Sequence, residues 1–157
     1  MKKKLHSLPL RNGVGIVVLN SANKIFVGKR IDNPKNFWQM PQGGIDPGEE
    51  YFSAALRELK EETGIENVEL IKEIDETLTY ELPSNLLGII WKGKYRGQKQ
   101  RWFIMRFKGN DNEINLKTHK PEFLDWKWID IDEITKVAVN FKLEVYKKIQ
   151  KHLKSLI

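Results

Sequence analysis

The sequence predicts an α/β fold in which a mixed sheet is covered by helices. Three observations carry this: β-rich runs and helical periodicities alternate, a hairpin signal comes early, and no regular strand-helix-strand repetition follows. The 157 residues hold no internal repeat, low-complexity tract or Ser/Pro-rich linker, so one domain over 1–157 is expected.

Residues 14–20 and 24–30 are β-rich and flank Ser21-Ala22-Asn23, the pattern of a hairpin. Asn33-Pro34-Lys35-Asn36 signals a loop, and a short extended Trp38-Gln39-Met40 ends at Pro41 and the Gly43-Gly44 pair. The clearest helix runs over 49–63. Pro47-Gly48 precedes it, Phe52, Ala55, Leu56 and Leu59 recur at helical spacing, and Gly64 stops it. Beyond it the pattern predicts a strand with an interruption over 68–82, a strand over 101–108, a short strand over 126–129 and a C-terminal helix over 141–156.

Composition removes several classes of function. With no cysteine, thiolate metal sites, Cys nucleophiles and disulfide frameworks are excluded. Apolar stretches of about six residues fall far short of the ~20 a membrane span needs. Lys2, Lys3 and Lys4 imitate a signal-peptide n-region, but Pro9 and Arg11 interrupt the chain before an apolar core of ~7 residues develops. A cytoplasmic protein with no membrane association and no stable protein partner is expected.

The net charge of +6 is distributed unevenly. Residues 91–108 hold seven bases and no acid, whereas 43–65 hold six acids against two bases. Trp91, Tyr95, Trp102 and Phe103 interleave with the bases of the first segment, a composition suited to phosphate contact and base stacking. Lys99 and Arg101 are its leading candidates for phosphate contact, with Arg11 and Arg30 at the ends of early strands as further ones.

On the helix over 49–63, residues placed at 100° intervals put Glu58, Glu61 and Glu62 on one stripe, roughly 130° from the apolar one. The like-charged Glu58/Glu62 pair at i, i+4 costs about 0.2–0.5 kcal/mol. Glu61 and Glu62 also lie beside the negative end of the helix dipole, which disfavours carboxylates there by about 0.3–1 kcal/mol. A hard divalent cation reverses both penalties, since clustered carboxylate oxygens are what Mg²⁺ or Mn²⁺ requires. Arg57 can orient one of these acids by a bidentate pair, Glu49 completes the cluster, and Gly43-Gly44 let the preceding loop approach it. The chemistry implied is metal-assisted phosphoryl transfer to water.

The segment 43–65, GGIDPGEEYFSAALRELKEETGI, resembles the Nudix box, Gly-x5-Glu-x7-Arg-Glu-U-x-Glu-Glu-x-Gly-U with U aliphatic. Every fixed position matches: Gly43, Glu49, Arg57, Glu58, Leu59, Glu61, Glu62, Gly64 and Ile65. A chance match at one start point is on the order of 10⁻¹⁰. The resemblance implies the Nudix fold, an α/β/α sandwich with a mixed sheet and a loop-helix-loop, hydrolysing nucleoside diphosphates linked to another moiety. It implies that Glu58, Glu61 and Glu62 bind Mg²⁺, with Mn²⁺ or another divalent metal able to substitute, that Arg57 orients a glutamate and that Glu49 supports the network.

The flanks, 38–46, 97–103, Pro121-Glu122-Phe123 and Trp126-Lys127-Trp128, look like the branch containing bacterial RNA pyrophosphohydrolases and dinucleoside polyphosphate hydrolases. That likeness spans about 10–151, with a slightly longer loop over 31–37. It implies that Glu122 reaches the metal site from outside the box as a possible general base, and that Tyr80 and Phe141 stack on a nucleobase. Two substrates follow. One is 5′-triphosphorylated RNA, from which pyrophosphate is removed to leave a 5′-monophosphate and promote decay. The other is a dinucleoside polyphosphate such as diadenosine tetraphosphate, cleaved asymmetrically. A remote third reading is a non-catalytic RNA-binding module whose acidic helix is structural.

Overall fold

A computed structural model of the chain describes residues 2–32 and 35–157. A short helix α1 (Lys2–His6) leads into strand β1 (Leu10–Leu19), followed by β2 (Ile25–Arg30), β3 (Gln42–Gly44) and helix α2 (Tyr51–Thr63). Then come β4 (Val68–Glu73), β5 (Leu78–Glu81), β6 (Gly97–Phe107), β7 (Phe123–Ile129), the single turn α3 (Ile134–Val137) and helix α4 (Leu143–Leu156). The strands form one mixed sheet in the order β4-β6-β1-β2-β7, with β3 added to β1 and β5 to β6. Only the central β1–β6 pair is parallel, running from Leu10↔Gly97 to Leu19↔Arg106.

The sheet is covered on both sides, as predicted. Residues 14–19 of β1 are fully buried, so the strand reads as a continuous apolar run and its alternate side chains feed two cores. Val14, Ile16 and Val18 pack with Phe26, Phe103 and Met105 against Ala54, Ala55 and Leu59 of α2. Val17 and Leu19 pack with Trp102 and Ile104 against Val145, Tyr146, Ile149 and Leu153 of α4.

Several boundaries move, each for a tertiary reason. The β1–β2 hairpin forms, but the pairing is confined to Leu19↔Ile25, because the strands splay and the segment from Gln39 onward fills the opening. There Gln39 exchanges two backbone hydrogen bonds with Gly28, Ile16 N–H donates to Pro41 O, and β3 pairs with Gly13, Val14 and Gly15. The predicted strand over 68–82 is two strands, both paired to β6, which starts at Gly97 rather than 101. Phe141 lies in the turn before α4 rather than in the helix. Of the predicted 33–36 loop, Asn33 and Pro34 lie outside the described residues.

The buried face of α2 also differs from the predicted one. Ala54, Ala55, Leu59, Glu62 and Thr63 are buried, whereas Phe52 and Leu56 lie partly in solvent at its edge. Ala55, Leu59 and Glu62 follow one another at i, i+4 and i+7, so Glu62 continues the inward stripe. The helix closes at Gly64, whose φ of 76° suits glycine and whose N–H donates to Lys60 O.

Candidate active site

The C-terminal half of α2 presses its acids against the β3 loop. Gly43 makes this possible: a Cβ there would lie 2.0 Å from Glu58 Cδ. At the centre is Arg57, and its fork is fully used. Nε and Nη2 each donate to one Glu49 oxygen at 2.8 Å, a bidentate pair. Nη2 also donates to Gly44 O at 3.0 Å, while Nη1 donates to Glu58 at 2.9 Å and to Glu61 at 3.2 Å. Glu49 additionally accepts the Asp46 N–H. The Arg57 hydrogen bonds, with this backbone donor, hold the Glu49 carboxyl down at about 2.

The three acids predicted to share one stripe divide by depth. Glu61 is 58% exposed, the Glu58 side chain 13% and Glu62 only 1%. Neither Glu62 oxygen finds a hydrogen-bond partner among the described residues. Burial, followed by the neighbouring carboxylates of Glu122 and Glu58, pushes its carboxyl well up. Burial also raises Glu58 against the pull of Arg57, and raises Glu122 against the pull of Arg30. A buried unpaired carboxylate costs several kcal/mol unless something compensates it. A cluster of oxygen donors of this kind is chemically suited to a hard cation. Among the described residues no three acids already converge on a single metal position; Arg57 draws Glu58 and Glu61 toward itself.

Beside this cluster opens a cleft of about 1170 Å³. Arg11, Arg30, Glu58, Tyr80, Glu122 and Phe141 line it, so six of the residues singled out in the sequence meet there. Tyr80 and Phe141 stand together with ring centroids 5.6 Å apart. Below them is a network of amides. Gln42 Nε2 donates to Tyr80 Oη at 3.1 Å, Gln100 Nε2 donates to Gln98 Oε1 at 2.8 Å and to Gln42 Oε1 at 3.2 Å, and Trp102 Nε1 donates to Gln100 Oε1 at 3.0 Å. The network ties the β3 loop to β6 and fixes the cleft floor.

Lys99 and Arg101 do not reach this cleft. Along β6, Gln98, Gln100 and Trp102 point to the α4 side, and the residues between them point to the α2 side. Arg101 there makes a bidentate pair with Glu73 at 2.7 and 2.8 Å and lies 4.4 Å over the Tyr51 ring. The density of charge along 91–108 is therefore divided between two faces.

Two residues of the cleft carried no sequence signal, and a third, Trp91, carried one for base stacking but none for its backbone. Lys142 is buried, donates from Nζ to Gln39 Oε1 at 3.0 Å and lies 5.5 Å over the Tyr80 ring. Desolvation, with the nearby Arg30, lowers its ammonium to about 7. Asp32 pairs with Arg30 through two hydrogen bonds of 2.7 and 2.6 Å. Trp91 and Lys92 are both left-handed, with φ of 52° and 58°, a conformation costing about 1–3 kcal/mol per residue that the surrounding contacts must impose. The Gln98-Lys99-Gln100 alternation, polar on one face of an apolar strand, is the one signal that could have exposed the amide floor.

The NUDIX domain model matches residues 9–149. An RNA pyrophosphohydrolase of Pelagibacter ubique is 68% identical over 151 residues, covering 96% of each chain. The RNA pyrophosphohydrolase of Rickettsia conorii is 48% identical over 155 residues, covering 99% of this chain and 96% of the relative. Among solved structures, a binary complex of the C. elegans Ap4A hydrolase superposes with a TM-score of 0.67 at 25% identity, covering 93% of this chain and 99% of that one. The E. coli dihydroneopterin triphosphate pyrophosphohydrolase superposes at 0.68 and 21% identity, covering 92% and 99%, a likeness of fold. Among the described residues no helix is long and apolar enough to cross a membrane.

Proposed function

The chain belongs to the Nudix family, and from that premise we propose that this hydrolase is an RNA pyrophosphohydrolase, cleaving pyrophosphate from 5′-triphosphorylated RNA and leaving a 5′-monophosphate. The observation that carries this reading is the near-full-length identity of 68% to a relative bearing that activity in its name. The cleft agrees with it, being lined by the carboxylates of Glu58 and Glu122 together with cations and aromatic rings.

Glu58, Glu61 and Glu62 of α2, with Glu122 from the loop before β7, would hold a divalent cation, for which Mg²⁺ is the natural choice. The orphaned oxygens of Glu62 are the fit for it. Bound there, such an ion neutralises polyphosphate charge and lowers the pKa of water. The protein's own groups do the rest. Arg57 holds Glu49, Glu58 and Glu61 in place through five hydrogen bonds to their carboxylates and to Gly44 O. Glu122, its carboxyl raised by burial, is a suitable acceptor for the proton of the attacking water. Arg11 and Arg30 take the phosphates and the Tyr80–Phe141 wall takes the first bases. The α–β anhydride breaks, and water supplies the oxygen and hydrogen shared between the two products. The setting proposed is the cytoplasm, where nascent transcripts carry 5′-triphosphates.

Incubation with Mg²⁺ and triphosphorylated RNA yields pyrophosphate and monophosphorylated RNA; no turnover would overturn the reading. The likeness to the C. elegans Ap4A hydrolase keeps a second substrate class in view. Comparing kcat/KM for the RNA and for diadenosine tetraphosphate decides between them, with the larger value expected for RNA.

A further inference from the structure

We infer that Trp91 is a positioning residue: its ring and the backbone of Gly44 clamp the Arg11 guanidinium at the cleft wall in the orientation that receives the substrate's phosphates. This deepens the function proposed above and rests on it.

The two arginines of the cleft are held in different ways. Arg30 is neutralised by its bidentate pair with Asp32. The Arg11 guanidinium has neither an ion pair nor a hydrogen bond among the described residues. Its guanidinium carbon lies 5.2 Å from the centre of the Trp91 ring, and a Cβ at Gly44 would lie 2.2 Å from Nη2 and 2.6 Å from the same carbon. A ring and a bare backbone fix the plane of the guanidinium and leave its in-plane donors for an anion. Gly44 is also the residue whose carbonyl accepts from Arg57, so Arg11 is referenced to the same loop as the carboxylate cluster.

The chain invests in keeping the ring there. Trp91 and Lys92 are consecutive left-handed residues without the glycine or asparagine that would adopt this conformation freely. The turn is held by Leu86 and Leu87 N–H donating to Pro83 O, and by Lys94 N–H donating to Trp91 O. Leu86, Ile90 and Trp91 rest on the α4-side core, and Tyr95 meets the Trp91 ring edge-on at 6.3 Å. A turn serving only to join β5 to β6 would have no use for a strained tryptophan facing a cleft.

The test uses Trp91→Asn, which suits left-handed backbone and removes the ring, Trp91→Phe, which retains a ring face, and each combined with Arg11→Ala. KM and kcat are measured on triphosphorylated RNA, and Kd on inorganic tripolyphosphate, alongside the thermal midpoint. Trp91→Asn should raise KM and the tripolyphosphate Kd about five- to tenfold with kcat within about twofold and the thermal midpoint lowered by a few degrees at most. Trp91→Phe should recover wild-type values within about twofold. In the Arg11→Ala background Trp91→Asn should have no further effect. Additive effects in that background, failure of Trp91→Phe to rescue, or an unchanged KM in Trp91→Asn would overturn the inference. If wild-type protein does not hydrolyse triphosphorylated RNA, the substrate reading fails, while the tripolyphosphate series still tests the clamp.

Discussion

The acidic wall, the α2 cluster beside the cleft, and the basic wall, the cations that line it, are built on opposite plans. The acidic wall is local: Glu49, Arg57, Glu58, Glu61 and Glu62 lie within 14 residues, on one helix and its leading loop. Its members fix one another through a shared arginine. The basic wall is assembled from four distant segments, at Arg11, Arg30, Trp91 and Lys142, and each cation there is held singly, by a ring, an acid or an amide. A mutually braced cluster tolerates little substitution, whereas singly held cations can be removed one at a time with graded effects.

The largest effect is expected at Glu62, the one acid of the braced wall without a brace. Glu62→Gln should lower kcat by about 10²–10³-fold or more while leaving stability unchanged or raised, because an amide of the same shape replaces a carboxyl whose ionised form burial already disfavours. Parallel measurement of turnover and thermal midpoint checks this. A variant that unfolds would make Glu62 structural and erase the contrast between the walls.

Arg57→Lys comes next. A lysine keeps the charge but cannot reproduce the fork that spans Glu49, Glu58 and Gly44 O, so activity should fall about tenfold to a hundredfold. Near-normal kcat in that variant would mean that charge alone, without geometry, organises the acidic wall. The Arg57–Glu49 pair itself should persist in acid, since the Glu49 carboxylate takes up its proton only near pH 2 and the stability it lends is lost as pH falls through that value.

The singly held wall predicts a milder, pH-dependent signature. With its ammonium lowered to about 7, Lys142 binds fewer protons folded than unfolded at any pH from about 7 up to the ordinary lysine value. Stability therefore rises with pH across that window, and Lys142→Met should abolish this rise. Denaturant titrations of both proteins at pH 6, 8 and 9 measure it; equal pH slopes would place the lysine in a solvated setting. The smallest effect belongs to Arg101→Ala, about twofold or less on KM, because its partners are Glu73 and Tyr51 on the far side of the sheet.

This contrast also explains what could be read from the sequence. The α2 cluster was legible because its chemistry is written in consecutive turns of one helix, where spacing fixes direction. Even there depth was not legible. Glu62 continues the inward stripe of Ala55 and Leu59, while Phe52 and Leu56 remain partly in solvent, because the β3 loop approaches from the side of the acids. Of the basic wall, Arg11, Arg30 and Trp91 stood out in the sequence, but nothing showed how they assemble. Lys142 looks like any other lysine until α4 packs it over Tyr80, and Arg11 acquires its neighbours only when β1 pairs with β3. Lys99 and Arg101 were drawn toward the substrate by charge density along the chain, which ignores that neighbouring strand residues face opposite sides. The sheet itself was legible in its alternation, but the opening of the hairpin was not, since nothing in 14–30 foretells the insertion of 39–44.

The central claim is that the unpartnered carboxylate of Glu62 holds a divalent cation together with Glu58, Glu61 and Glu122. The most direct measurement is the thermal midpoint of the wild-type protein and of Glu62→Gln during titration with Mg²⁺ and Mn²⁺. A ligand that binds only the folded state stabilises it by mass action. The wild type should therefore rise with metal while Glu62→Gln, which lacks the carboxylate, stays level. The same metal-dependent rise in both proteins would contradict the account.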